Sequence, residues 1–315
     1  MGGMKSEHAL RAAQLYYQHH LTMEAIAQEL RVSRSTVSRL LTTARETGLV
    51  QISVRSPKEL GSKLEKRIAE LYGIRAHVVA IPPGASGPER LERTARAAAH
   101  RLAAAVTDHS KIGVAWGTTM SAVARHLPVK AAHGTSVVQM NGAANVQSMG
   151  ISYTAKLLGD FNRAFSSAVY EFPVPAIFDE QATREALWRE SSVLGVLRLQ
   201  SSVDIFAFGL GSRLGEPRSH VYSGSYLTQR DLGDLGEADV VGDCATVFFR
   251  ADGKTEGVPI NARTSGPSFN TVRRIPHRLC VVTGTSKLQS LKGALRGGII
   301  TELVLDEELA RLVVQ

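Results

Sequence analysis

Apolar positions in the first fifty residues recur at helical spacing, with one interruption. In "TMEAIAQEL" Ile26 and Leu30 lie four apart and share a helical face, and Ala27 is small enough to let a second helix approach. Thr22 stands where an N-cap hydroxyl would meet a free amide, although Ala25 at the third position denies a full capping box. "RVS" breaks the pattern, and Ser33 opens a second helix whose buried stripe is Val37, Leu40 and Leu41. Upstream, "LRAAQLYYQHH" predicts a supporting helix with Leu10, Ala13 and Tyr17 on one face. Downstream, "GLVQISVRS" predicts a C-cap at Gly48 and then a short alternating strand.

After the break at Pro57, Leu60, Leu64, Ile68 and Leu71 form an amphipathic stripe. Such a stripe must pack on the following domain or on the same helix of a second subunit, and the second subunit is the slightly favoured reading. From Ala76 the rhythm changes. Short apolar runs, "HVVAIP", "KIGVAWG", "TSVVQMNG", "VDIFAFGLG", "ATVFF" and "LCVVTG", alternate with helical stretches such as "PERLERTARAAAHRLAAAV" and a helix from Thr119 to His126. Near-continuous apolar strands joined by helices predict a parallel sheet covered on both faces. Residues 212–243, rich in Gly and polar side chains, predict loops around a short helix. The expected class is α/β: an N-terminal domain (1–56), a linker or oligomerisation helix (57–75) and a Rossmann-like parallel-sheet domain (76–315).

Charge gives the N-terminal pattern a direction. The formal net charge is +8, and residues 1–56 carry seven Lys or Arg against four Glu. Excess positive charge favours a polyanion, because neutralised phosphates release counterions. The outward side of the second helix begins Ser33, Arg34, Ser35, Thr36, then Ser38 and Arg39. In a helix-turn-helix this end enters the major groove, where Arg bridges guanine O6 and N7 and hydroxyls reach bases or phosphates. Ala27, Val32 and Val37 occupy the small, turn and core positions of the motif. One departure stands out: Arg31 occupies the turn position where glycine commonly takes a left-handed conformation. His19 and His20 fit a helix end better than a metal site.

In a parallel sheet, ligands sit beyond the carboxyl ends of the strands. "VAWGTTMSAV" offers Gly117 for close backbone approach, hydroxyls from Thr118 and Thr119, and a helix N-terminus suited to an anion. "VVTGTSKLQ" places Lys287 just inside a helix, and "GVPINARTSG" offers Arg263 in a loop. "VVGDCA" supplies Asp243, able to accept hydrogen bonds from sugar hydroxyls, to hold a cation or to cap a Gly-Asp turn. Gln139 and Asn141 stand at another strand end. Cys244 and Cys280 are the only cysteines and form no CxxC pair, which fits a reducing cytoplasm and argues against a zinc ribbon or a disulfide scaffold. No run of about 18 apolar residues is present and the N-terminus has no apolar signal core, so neither a membrane span nor export is expected. Nothing in the sequence calls for a metal or a cofactor.

Taken together, "AIAQELRVSRSTVSRLLTTARETGLVQISV", "KIGVAWGTTMSAVARHL", "SSVDIFAFGLGS", "EADVVGDCATVFF" and "KLQSLKGALRGGIITELVLDEELARLV" resemble the SorC family of sugar-responsive bacterial transcription regulators, over Leu10 to Val314. The resemblance implies a helix-turn-helix followed by an effector domain similar to sugar-phosphate isomerases and glucosamine-phosphate deaminases. It implies that Gly117, Thr118 and Thr119 form a phosphate-binding turn, that Lys287 lies near an effector phosphate, and that Asp243 and Arg263 fall in the pocket region. "TGTSK" departs from the family, since Thr285 replaces the second of two adjacent glycines. An unphosphorylated sugar or polyol therefore stays open as effector beside a sugar phosphate.

The expected function is a cytoplasmic, homo-oligomeric regulator, without enzymatic activity, that binds double-stranded operator DNA under control of that effector. A sugar-phosphate isomerase or deaminase is the alternative, but no His or Glu sits obviously beside the Gly117 turn to act as general base, and a scaffold alone does not confer a reaction. A nucleoid protein is a third, for which the large domain would be superfluous.

Overall fold

The computed structural model describes residues 2–50, 57–149, 151–213, 215, 219–223 and 225–315, the side chains of 2–6, 57–60 and 151–152 excepted. The chain divides into two compact units, Met1–Ser56 and Pro57–Gln315.

The first unit is helical: α1 (Gly2–Ala13), widening into a π-turn at Gln14–Gln18, then α2 (Met23–Glu29) and α3 (Arg34–Glu46). Both predicted caps form, with Thr22 accepting the Ala25 amide at 3.3 Å and Ser33 accepting that of Thr36 at 3.1 Å. Ile26, Val37, Leu41 and Ala44 close on Ala9, Ala12, Ala13 and Leu15 to make the core. Leu10, expected inward, is 41% exposed instead. The inward positions of α1 are Ala9, Ala12 and Ala13, while the π-turn brings Leu15 inward and leaves Tyr17 part-buried. Gly48, at φ +76°, lies just past α3; most of the strand expected after it lies outside the described residues.

The second unit opens with α4 (Pro57–Tyr72), followed by β1 (Arg75–Val79), α5 (Gly87–Ala105), β2 (Lys111–Val114), α6 (Thr118–Arg125), β3 (Ser136–Gln139), α7 (Ile151–Phe165) and β4 (Ala168–Tyr170). Then come α8 (Gln181–Leu187), α9 (Ser191–Ser201), β5 (Ile205–Gly209), α10 (His220–Ser223), α11 (Gln229–Glu237), β6 (Val240–Cys244) and β7 (Val247–Arg250). The chain ends with α12 (Phe269–Arg274), β8 (His277–Val282), α13 (Leu288–Arg296), β9 (Glu302–Asp306) and α14 (Glu307–Val313).

Seven strands form a wholly parallel sheet in the order β1-β9-β8-β5-β2-β3-β4. Alternation within each strand sorts its side chains to the two faces. Ile205, Ala207, Leu279, Val281 and Val304 meet α5, α6 and α7, whereas Phe206, Phe208, Cys280, Val282, Leu303 and Leu305 meet α4, α12, α13 and α14. Burying both faces explains why these strands read as unbroken apolar runs.

Three expectations are corrected here. The stripe of α4 packs on its own unit, with Leu64 and Ile68 inside the core cluster and α4 lying against β1 and α14, while Leu71 is 44% exposed. "ATVFF" is not a strand of the parallel sheet. It closes an antiparallel hairpin with β6, where Asp243 pairs with Phe248; Asp243 sits on a strand, and its Oδ2 accepts from the Thr246 amide at 3.3 Å across the turn. The region expected to hold one short helix holds α10 and α11, the latter started by a full capping box of Thr228 and Asp231.

Candidate functional sites

At the start of α3 the Ser33 hydroxyl lies 2.8 Å from those of both Ser35 and Thr36, which fixes the first turn. Ser35, Ser38 and Arg39 are exposed, and Thr36 is half-buried under Ser33. Arg34 pairs with Glu24 at 3.0 Å, but both side chains are more than 60% exposed. Such a pair contributes little and exchanges easily for a phosphate or a base edge. Arg31 takes φ +53°, the left-handed geometry expected of its turn position, and Val32 donates to the Ala27 carbonyl at 3.0 Å to close the turn. The result is a well-capped helix whose leading face presents guanidinium and hydroxyl groups to solvent.

In the larger unit the chain leaves β2 toward β3 and β4, then returns to β5 on the other side of β2. That reversal opens a crevice between the two strand ends, the place where doubly wound sheets hold ligands. A cavity of about 610 Å³ occupies it. Gly117, Thr118, Thr119, Asn141, Asp243 and Lys287 all line it. Gly117 has φ 153° and ψ 164°, a region open in practice to glycine alone. This backbone starts α6 at the wall of the cavity, where Thr118 and Thr119 line it.

Asp243 and Asn141 are the telling residues. Both are buried, and Asp243 Oδ1 and Asn141 Oδ1 have no hydrogen-bond partner. Burial pushes the Asp243 carboxyl up to about 6, opposed by the Thr246 amide and by Lys287. The Tyr222 hydroxyl also helps to hold that charge, though it too lacks a partner in hydrogen-bond geometry. Gly211 makes room for the carboxylate, since a Cβ there would fall 1.7 Å from Asp243 Oδ1. Lys287 reaches back to the Leu210 carbonyl at 2.7 Å, and burial lowers its pKa. Asp306 fixes the neighbouring turn by accepting from the Thr283 hydroxyl at 2.9 Å and the Gly284 amide at 2.6 Å. Two buried acceptors with nothing to accept are costly unless a donor arrives. Hydroxyl groups supply such donors.

Two expected residues are elsewhere. Gln139 is buried and spends its amide on the Asn141 and Phe172 carbonyls and on the Phe172 amide, tying two loops together. Arg263 is bound to Asp231 and to the Phe178 carbonyl at 2.9 Å. Both are internal struts. Conversely, the sequence reading missed Arg90, Trp116 and His220. Trp116 stacks on Tyr226 with ring centres 5.1 Å apart and meets His220 edge-on at 5.8 Å, giving the cavity an aromatic wall. Arg90 bonds to Asp306 at 3.2 Å and Glu308 at 2.9 Å. Trp116 adjoins Gly117 and was findable; Arg90 finds its partners more than 200 residues away, beyond any local signal.

A family described as "Putative sugar-binding domain" matches residues 56–315, and a "Homeodomain-like domain" matches residues 5–52. The chain is 31% identical over 312 residues to the deoxyribonucleoside regulator of Bacillus subtilis, covering 98% of each protein. It is 24% identical over 317 residues to the sorbitol operon regulator of Klebsiella pneumoniae, covering 97% of each. The chain belongs to the SorC family. Among solved structures, a domain of a possible sugar-binding transcriptional regulator from Arthrobacter aurescens TC1 shares 45% identity at a TM-score of 0.78, over 83% of this chain and 100% of that one. The full-length sorbitol operon regulator SorC from Klebsiella pneumoniae, at 22% identity, shares the fold, with a TM-score of 0.75 over 98% and 99% of the two chains. For a SorC-family chain the crevice is thus the sugar-binding unit's own cavity. Among the described residues no helix is long and apolar enough to cross a membrane.

Proposed function

We propose that this chain regulates transcription by binding an operator through α3, and that a sugar, polyol or sugar phosphate in the cavity sets its affinity for that operator. The observation that carries the effector class is the pair of buried, unpartnered acceptors, Asn141 Oδ1 and Asp243 Oδ1, which call for hydroxyl donors. The amides of Thr118 and Thr119, with Lys287, suit an anionic end of the same molecule. The relatives named for deoxyribonucleosides and for sorbitol support a carbohydrate-derived ligand. A palindromic operator would be read by two copies, with half-sites one helical repeat apart. Ligand that favours one arrangement shifts the population, and affinity for DNA changes by the same coupling energy.

Operator titrations with and without candidate sugars test this. Arg39→Ala is expected to weaken binding by about 1–3 kcal/mol, and Arg34→Ala likewise, irrespective of sugar. Thr118→Ala or Lys287→Ala is expected to leave binding to bare operator intact while blunting the response. Loss of bare-operator binding in Lys287→Ala would overturn the division of roles.

One observation favours a second reading. A carboxyl raised to about 6 beside a lysine is equipped to move a proton next to a carbonyl. Turnover of a pentose or hexose phosphate by the wild type, lost in Asp243→Asn, would establish it; absence of turnover across the series leaves the regulator alone.

A further inference from the structure

The positive charge of the larger unit is concentrated in one stretch. Residues 250–296 carry nine Lys or Arg against two acids, while the rest of 57–315 carries 21 against 23. Of the nine, Lys287 faces the cavity and Arg263 is held by Asp231. The fold gathers most of the others. The turn after β7 (Arg250 to Lys254) abuts the end of α13 so closely that a Cβ on Gly253 would fall 2.2 Å from the Gly297 nitrogen. Arg296 donates to the Ala251 carbonyl at 2.7 Å, Arg273 to the Gly297 carbonyl at 2.9 Å, and Arg278 to the Arg273 carbonyl at 3.2 Å. Arg273, Arg274, Arg296 and Lys254 are exposed. Two carboxylates belong to the stretch: Asp252, 3.5 Å from Lys254 and 3.9 Å from Arg250, and Glu256, which accepts from the Thr255 amide.

Helix ends account for part of this, because cations favour the last turns of α12 and α13. They do not account for Arg250 and Lys254 on a hairpin or Arg278 on a strand. Arg296 donates one N–H to a carbonyl, and Arg273 adds only the Asn270 side chain at 2.8 Å to its one carbonyl, so both guanidinium groups keep donors to spare. A convergent, carboxylate-poor face of this kind suits a polyanion with regularly spaced charges. On the proposed function, on which this inference rests, α3 holds the chain on a duplex and so keeps flanking phosphates at high effective concentration. We propose that the face built from Lys254, Arg273, Arg274 and Arg296 is a second DNA contact that grips backbone phosphates without reading bases.

The test measures full-length chain binding by anisotropy, from 50 to 300 mM salt, to its own promoter fragments and to a scrambled duplex of equal length. Each phosphate released lowers the slope of log K against log salt by about 0.9. Lys254→Gln/Arg274→Gln removes two charges that make no carbonyl contact, and is expected to reduce the slope by nearly two on both duplexes while leaving the thermal midpoint unchanged. Adding Arg273→Gln and Arg296→Gln is expected to reduce it further. Unchanged slopes on both duplexes would overturn the proposal and assign the face to another partner, such as an acidic protein. A wild type that never prefers a promoter to the scrambled duplex would refute operator reading by α3; the slopes on the scrambled duplex would still decide the present inference.

Discussion

Asp243 is held against Gly211, under Thr246 and beside Lys287, and its oxygen Oδ1 goes unanswered. Because burial raises its pKa to about 6, the folded chain binds this proton more tightly than the unfolded chain. Its contribution to stability is fully present below about pH 4 and is lost as pH rises through 6. Asp243→Asn removes that loss. The variant is expected to be more stable than wild type at pH 7.5 by on the order of 3 kcal/mol and to come close to it near pH 4, as urea melts at the two pH values would show. The same change is expected to abolish protection by sugar ligands in a thermal-shift series. Equal stability at pH 7.5 would refute a raised Asp243 pKa. The carboxylate is thus kept at a cost to the empty protein, in the manner of a binding residue.

At the scale of elements, the turn between α2 and α3 shows what a local pattern does and does not reveal. Arg31 occupies a left-handed position that glycine would adopt freely. Arg31→Gly is expected to raise the melting temperature of the N-terminal unit, equivalent to about 1 kcal/mol, measured by calorimetry; a lower temperature would refute it. This turn, both caps and the α3 stripe were legible because their causes lie within four residues of one another. The hairpin of β6 and β7 was not. "ATVFF" is as apolar as the sheet strands because it packs in the same core, and its antiparallel partner is set by a two-residue connection, Ala245 and Thr246, both at positive φ. The α4 stripe was misassigned for a related reason. Its spacing specifies that a face is buried but not what buries it, and part of the answer, α14, lies at the other end of the chain, where the Tyr72 hydroxyl donates to the Val313 carbonyl. Of the cavity, the Gly117 turn, Asn141, Asp243 and Lys287 were legible as polar groups at strand ends. Gln139 and Arg263 share that signature and turned out to be struts, because a polar side chain at a loop is satisfied internally as readily as by a ligand.

For the whole molecule, the ends of the sheet have different electrostatic designs. At the end away from the cavity, buried Glu302 receives His277 at 2.8 Å, His77 at 2.9 Å, Arg101 at 3.1 Å and Arg75 at 3.3 Å. Burial alone would raise its pKa, but the hydrogen bonds from His277, His77 and Arg101 reverse this and hold the carboxyl well below the usual range. One side chain thereby clamps β1, β8, β9 and α5. Glu302→Gln leaves four basic groups facing one another and is expected to cost roughly 3 kcal/mol at pH 7. A depressed carboxyl contributes stability above its unfolded pKa and loses it as pH falls, so the gap between variant and wild type is expected to shrink below about pH 4. Denaturant midpoints across pH 3 to 8 would check this, and a gap independent of pH would refute it.

Between those ends runs α13. Its first turn follows Lys287, whose ammonium is moored to the Leu210 carbonyl, and its last residue, Arg296, is moored to the Ala251 carbonyl. Nine residues of helix make a stiff strut roughly 14 Å long, too short to dissipate a displacement by flexing. The crevice and the turn after β7 are thus the two anchorages of one short helix.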